Sequence, residues 1–158
     1  RGTLEGLALR LAAERGVAPA RMGELTRLLE GIDEALKGDV ADMDFDGYVD
    51  LNAAFHEKLW GLASQTIRRE IERVTSLPFA SPSAFLDKQA NVEAFRRSLY
   101  GAQTQHRAMV EAIALREGSR AEALAREHAR LARQNLEFVL DQDRSLIRRV
   151  PALSLVVG

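Results

Sequence analysis

The sequence predicts an all-α fold. Apolar residues recur in steps of three and four along most of the chain, glycines and prolines punctuate those runs at helix-length intervals, and a two-residue strand alternation is missing. The one exception to that absence is the last residues, Ala152 to Val157, and they read as a tail.

The first helix carries Leu4, Leu7, Ala8, Leu11 and Ala12 on one predicted face and ends at Gly16. Pro19 suits the first turn of the second helix, because its missing N–H would have no partner there. Met22, Leu25, Leu29, Ile32 and Leu36 form the seam of that helix, and Gly38 closes it. A third helix is predicted over Phe45 to Ala63, with Tyr48, Leu51, Phe55, Leu59 and Leu62 on its stripe and Gly47 near its start. A shorter fourth runs from Thr66 to Ser76. Pro78 and Pro82 make Leu77 to Ser83 a loop.

The last two helices have the clearest seams. Phe95, Leu99, Ala102, His106, Met109 and Ile113 form one, and Ala121, Leu124, His128, Leu131, Asn135 and Phe138 the other. Between them Gly118 is the predicted helix stop, with Ser119 and Glu122 at capping-box spacing for the next start. So short a turn makes the two helices antiparallel neighbours.

Composition narrows the function. A length of 158 residues fits one domain. Apolar residues make up 46% and charged residues 28%, as in an ordinary soluble globular protein. The 22 basic and 23 acidic residues are interspersed, so this segment has no basic face of its own for nucleic acid. The chain has no cysteine, which excludes thiolate ligands and a cysteine nucleophile and fits the cytoplasm. No run approaches the roughly 18 apolar residues of a membrane span. The opening Arg1-Gly2-Thr3 runs directly into a helix, so we expect a further domain on its N-terminal side.

Two of the three histidines occupy seam positions where leucine is usual. His106 lies 12 residues before Gly118 and His128 lies 10 after it. Those intervals correspond to roughly 18 and 15 Å of helix, so an antiparallel hairpin brings both imidazoles to one level. His56 and Asn52, four residues apart, project from one side of the third helix. A buried imidazole needs partners for both ring nitrogens, and apolar neighbours provide none. A divalent metal does, and open positions on it would accept a small carboxylate. Zinc is the first choice, with nickel, cobalt, manganese or iron as alternatives. One such histidine alone would read as a core residue; two level on facing seams point to a shared ligand. Asn135, two turns beyond His128, and Gln103, beside His106, are candidate effector contacts.

The ordered set Arg1-x-x-Leu4-Glu5, Gly38-Asp39, Leu51-Asn52-x-x-Phe55-His56, His106-x-x-Met109-x-x-Ala112-Ile113, and Ala121 followed by His128 resembles the effector-binding FCD domain of GntR-family, FadR-like transcriptional regulators. The resemblance covers nearly the whole chain. It implies an antiparallel bundle of six or seven helices, a homodimer, and a winged helix-turn-helix domain N-terminal to this segment that carries the DNA contacts. It also implies a metal held by Asn52, His56, His106 and His128, and an organic-acid effector. Where the family more often has Asp, this chain has Asn52, which removes one negative charge and gives a bound anion more weight in neutralising the metal.

These readings predict a sensor and no enzyme. Two rivals follow from the same residues. A histidine-bound metal with an open position can activate water, as in a small hydrolase, yet no His-Glu-x-x-His helix or Glu-x-x-His pair accompanies it. Alternatively the histidines are core polar residues of a dimerisation module without metal.

Overall fold

The computed structural model describes residues 1–77 and 93–142, and within 136–142 only the side chain of Glu137. The described residues form six helices and no strand: α1 (Gly2–Arg15), α2 (Pro19–Ala35), α3 (Phe45–Trp60), α4 (Gln65–Thr75), α5 (Glu93–Ala114) and α6 (Gly118–Gln142). The all-α expectation holds. The predicted loop beyond Leu77 and the tail 152–157 lie outside the described residues, as does the side chain of Phe138.

Helix ends follow local chemistry. Gly16 stops α1 with a φ of 85°, and Gly38 adopts a φ of 91° after α2, both left-handed conformations that glycine takes without a steric penalty. Pro19 occupies the first turn of α2. The Asp44 side chain caps α3 by accepting from the Gly47 N–H at 3.0 Å. The third helix ends at Trp60, three residues short of the predicted end.

The α5–α6 turn corrects the sequence reading. Arg116, not Gly118, is the left-handed residue, with a φ of 61°. Its N–H bonds Ile113 O at 3.1 Å and the Glu117 N–H bonds Ala112 O at 2.8 Å, the paired closure of a Schellman motif. Helix α6 therefore begins at Gly118, and Ser119 lies inside its first turn. Glu122 pairs with Arg10 and Arg126 and takes no part in a capping box with Ser119. Gly118 has a packing role: a Cβ there would stand 2.7 Å from Glu14 Cγ and 3.2 Å from Arg10 O on α1.

The buried face of α1 also differs from the prediction. Glu5, Gly6, Ala8, Leu9, Ala12 and Ala13 point inward, while Leu7 and Leu11 are about two-fifths exposed. The reason is backbone proximity. Helix α1 runs antiparallel to α6, and a Cβ on Gly2 would meet Ala129 Cβ at 2.8 Å, one on Gly6 the Glu122 carbonyl at 3.0 Å. Small residues at this seam let the helices approach closely, and the leucines are left at its edge.

The remaining helices enclose one core, with Leu25, Leu29, Ile32, Tyr48, Phe55, Leu59, Ile71, Leu99, Met109 and Ile113 all buried. Arg96 on α5 fixes the α2–α3 connection: Nη1 donates to Val40 O at 2.8 Å and Ala41 O at 3.1 Å, and the guanidinium lies 5.5 Å from the centre of the Phe45 ring. That contact ties α5 to the segment leading into α3, the helix that carries Asn52 and His56.

Substitution should separate the two kinds of glycine. Gly6→Val is expected to lower unfolding stability by about 1–3 kcal/mol through overpacking. Gly23→Ala, where an added methyl meets nothing within 4 Å, should raise it by about 0.4–1 kcal/mol. Denaturant melts read both, and a neutral Gly6→Val would contradict the tight α1–α6 seam.

Candidate metal centre

Three helices each deliver one imidazole to the centre of the bundle: His56 from α3, His106 from α5 and His128 from α6. They are 2%, 0% and 8% exposed. Ring centres lie 5.2 Å apart for His56 and His106, 5.3 Å for His56 and His128, and 4.6 Å for His106 and His128. One nitrogen from each ring lies within 4.8 Å of one from each of the others. The predicted convergence of the three histidines is therefore present.

The hydrogen bonds decide which nitrogens face inward. Gln103 Nε2 donates to Leu29 O at 2.9 Å and to Asp33 Oδ1 at 2.8 Å, both obligate acceptors in this setting, which fixes the orientation of the amide. Its Oε1 then accepts from His106 Nδ1 at 3.1 Å. The proton of His106 is thus on Nδ1, and Nε2 carries a lone pair. His128 repeats the arrangement, with Nδ1 3.0 Å from Gln105 Oε1. The two Nε2 atoms face each other at 3.3 Å. In the His128 tautomer that donates from Nδ1 to Gln105 Oε1, two lone pairs meet across that gap. His56 has no hydrogen-bond partner on either ring nitrogen, although both are buried.

This arrangement fits a bound cation. Two nitrogens on one tetrahedral zinc, each about 2.0–2.1 Å from it, stand about 3.3 Å apart. The two orphaned nitrogens of His56, beside the facing Nε2 atoms of His106 and His128, are the feature that a metal ion would explain. The glutamine amides have the place of the outer partners that hold ligating histidines in one tautomer.

Aromatic groups surround the centre. Phe55 lies 4.6 Å from the His106 ring and Trp60 lies 6.0 Å from the His56 ring. Trp60 Nε1 donates to Glu5 Oε1 at 3.2 Å, and Arg1 pairs with the same carboxylate at 3.4 Å. Burial raises the Glu5 pKa, opposed by the Arg1 charge.

The other predicted residues fall as follows. Asn52 is 4% exposed on α3, one turn before His56. Gln103 is buried, with its amide engaged by His106, Leu29 and Asp33. Asn135 is half-buried and donates to Ser98 Oγ at 3.1 Å. Sequence reasoning missed Gln105, Asp33, Glu5 and Trp60. Gln105 was within reach, because the register that levels His106 with His128 also sets residue 105 beside His128.

A family model for the FCD domain matches residues 1–131. The chain belongs to the FCD family. This is the effector-binding C-terminal domain of GntR-family, FadR-like regulators, a ligand-sensing regulatory domain. All three histidines, Asn52 and Gln103 lie in the matched segment, and Asn135 lies beyond it. No curated protein matches the chain. Among the described residues, no helix is long and apolar enough to cross a membrane.

The electrostatics of the FCD centre give it a pH signature. Burial first, and the neighbouring imidazoles second, hold His56 and His106 well below the usual 6.5. Burial, with Arg1 adding to it, brings His128 down to about 4. The unfolded chain therefore takes up protons near pH 6.5 while the folded chain does so only at lower pH. Stability from these rings is full above the unfolded value and is lost as the pH falls through the window down to the folded values. The thermal midpoint of the metal-free domain should be flat above about pH 7 and should already fall between roughly pH 6.5 and 5.5, ahead of most carboxylates. His106→Leu should flatten that upper part, and an unchanged profile would contradict the buried neutral rings.

Proposed function

We propose that this FCD domain senses a small organic acid through a divalent metal held by His56, His106 and His128, with Asn52 as a fourth protein ligand. Zinc is the first candidate, followed by nickel, cobalt, manganese and iron. The observation that carries the reading is the convergence of buried imidazole nitrogens: the two on His56 that have no hydrogen-bond partner, and the Nε2 atoms of His106 and His128, which face each other at 3.3 Å. When bound, the metal supplies a Lewis-acidic point of attachment for a carboxylate.

The protein's own residues do the rest. Gln103 and Gln105 hold two rings with their lone pairs inward. Phe55 and Trp60 exclude water around the cluster. Asn135 and Gln103 stand as candidate effector contacts, Gln103 through its hold on His106. The effector then biases the relative positions of α3, α5 and α6, because each contributes a ligand. In the full regulator, a cytoplasmic homodimer in this proposal, that bias passes to a winged helix-turn-helix domain on the N-terminal side and changes DNA affinity. Such coupling requires the ligand to favour one arrangement over the other.

Two measurements test this. Zinc or cobalt added to the metal-free domain should raise its melting temperature by several degrees, since a hundredfold excess over Kd is worth about 2.7 kcal/mol. Cobalt should also quench Trp60, the only tryptophan, and His106→Ala should abolish both effects. Calorimetric titration with a panel of organic acids should then give binding that a chelator removes. Protein that neither retains metal after mild purification nor responds to added metal would leave the histidines as core residues of a structural module.

A further inference from the structure

The charge of this centre is unusual. Three neutral imidazoles contribute none, and among the described residues no carboxylate joins their group within 4.8 Å. One turn before His56 the chain carries a neutral amide, Asn52. The outer partners of both facing rings are amides too, Gln103 on His106 and Gln105 on His128. Carboxylates in those places would have supplied negative charge, as they commonly do around metal-ligating histidines. Glu5, the one buried carboxylate among the described residues, is held by Trp60 at 3.2 Å and Arg1 at 3.4 Å. Asp33 is reached only through the Gln103 amide and is shared with Arg107.

A divalent cation inside such a shell keeps its full charge in a low-dielectric interior, where unbalanced charge is costly. An anion in the metal's open position offsets that charge directly. Building on the proposed function, we infer that this domain takes up its metal and its anionic effector as a coupled pair, each raising the affinity for the other, and that the neutral shell of Asn52, Gln103 and Gln105 sets the strength of the coupling. Because binding linkage is reciprocal, the anion retains the metal as much as the metal recruits the anion. The domain thereby reports the joint presence of both rather than the acid alone.

Metal-free protein is titrated with cobalt by equilibrium dialysis and visible absorption, with and without acetate as the anion probe, at fixed free cobalt. For the wild-type chain, saturating acetate should tighten cobalt binding by about tenfold or more. Asn52→Asp should bind cobalt more tightly without acetate, and its acetate effect should shrink to about twofold or less. Gln105→Glu, at a half-buried position that tolerates charge more readily, should move both quantities the same way, so the test survives if Asn52→Asp fails to fold. Cobalt binding that acetate leaves unchanged in the wild type, or full coupling kept in both variants, overturns the inference while leaving the metal site standing. A wild-type domain that binds no cobalt in either buffer overturns the metal reading itself.

Discussion

Three buried imidazoles whose ring nitrogens converge constrain everything around them. A nitrogen left without a partner in a protein interior costs about 1–3 kcal/mol, and His56 alone has two. A leucine at any of these positions would remove that cost, so the cluster is a stability burden on the bundle without a cation. The surrounding structure is arranged to keep it anyway. Phe55 and Trp60 lie against the rings, Gln103 holds the His106 tautomer, and Gln105 stands beside His128. Stability given up in this way is what a functional site is expected to show.

The centre also belongs to no single helix. Each histidine comes from a different one, so their separations are a direct function of how α3, α5 and α6 sit together. Helix α1 packs against all three of these. It meets α6 through the close Gly2 and Gly6 seam, and it meets α3 through the Glu5–Trp60 hydrogen bond. Helix α2 is the fifth participant: its Leu29 carbonyl and Asp33 carboxylate hold the Gln103 amide. A chain of polar contacts, Arg107 to Asp33 to Gln103 to His106, therefore runs from the exposed surface to the buried ring. In a sensor such contacts give the core a route by which ligand state and helix arrangement influence each other.

Membership in the FCD family supplies the regulatory role, and the chemistry of this chain gives that role its own character. The amides of Gln103 and Gln105 beside His106 and His128, and Asn52 one turn before His56, bring no negative charge to this part of the core. That neutrality is the feature in which this chain most clearly departs from the Asp-bearing pattern that its family resemblance implies.

The sequence by itself determined the helices and most of the core, because a 3.6-residue period and the punctuation by Gly16, Pro19 and Gly38 are local properties. It also determined that His106 and His128 would meet, since a short turn and a fixed rise per residue leave little freedom in an antiparallel hairpin. The tertiary structure alone decided the rest. Leu7 and Leu11 were left at the edge of α1 because glycine contacts with α6 govern its rotation, and no pattern within α1 reveals the partner's surface. Arg116 closes α5 in the left-handed conformation, while Gly118 is required for the approach of α1, a distinction that local propensity does not make. The roles of Gln103, Gln105, Asp33 and Glu5 depend on side chains from separate helices meeting in space, and spacing along the chain does not encode such meetings.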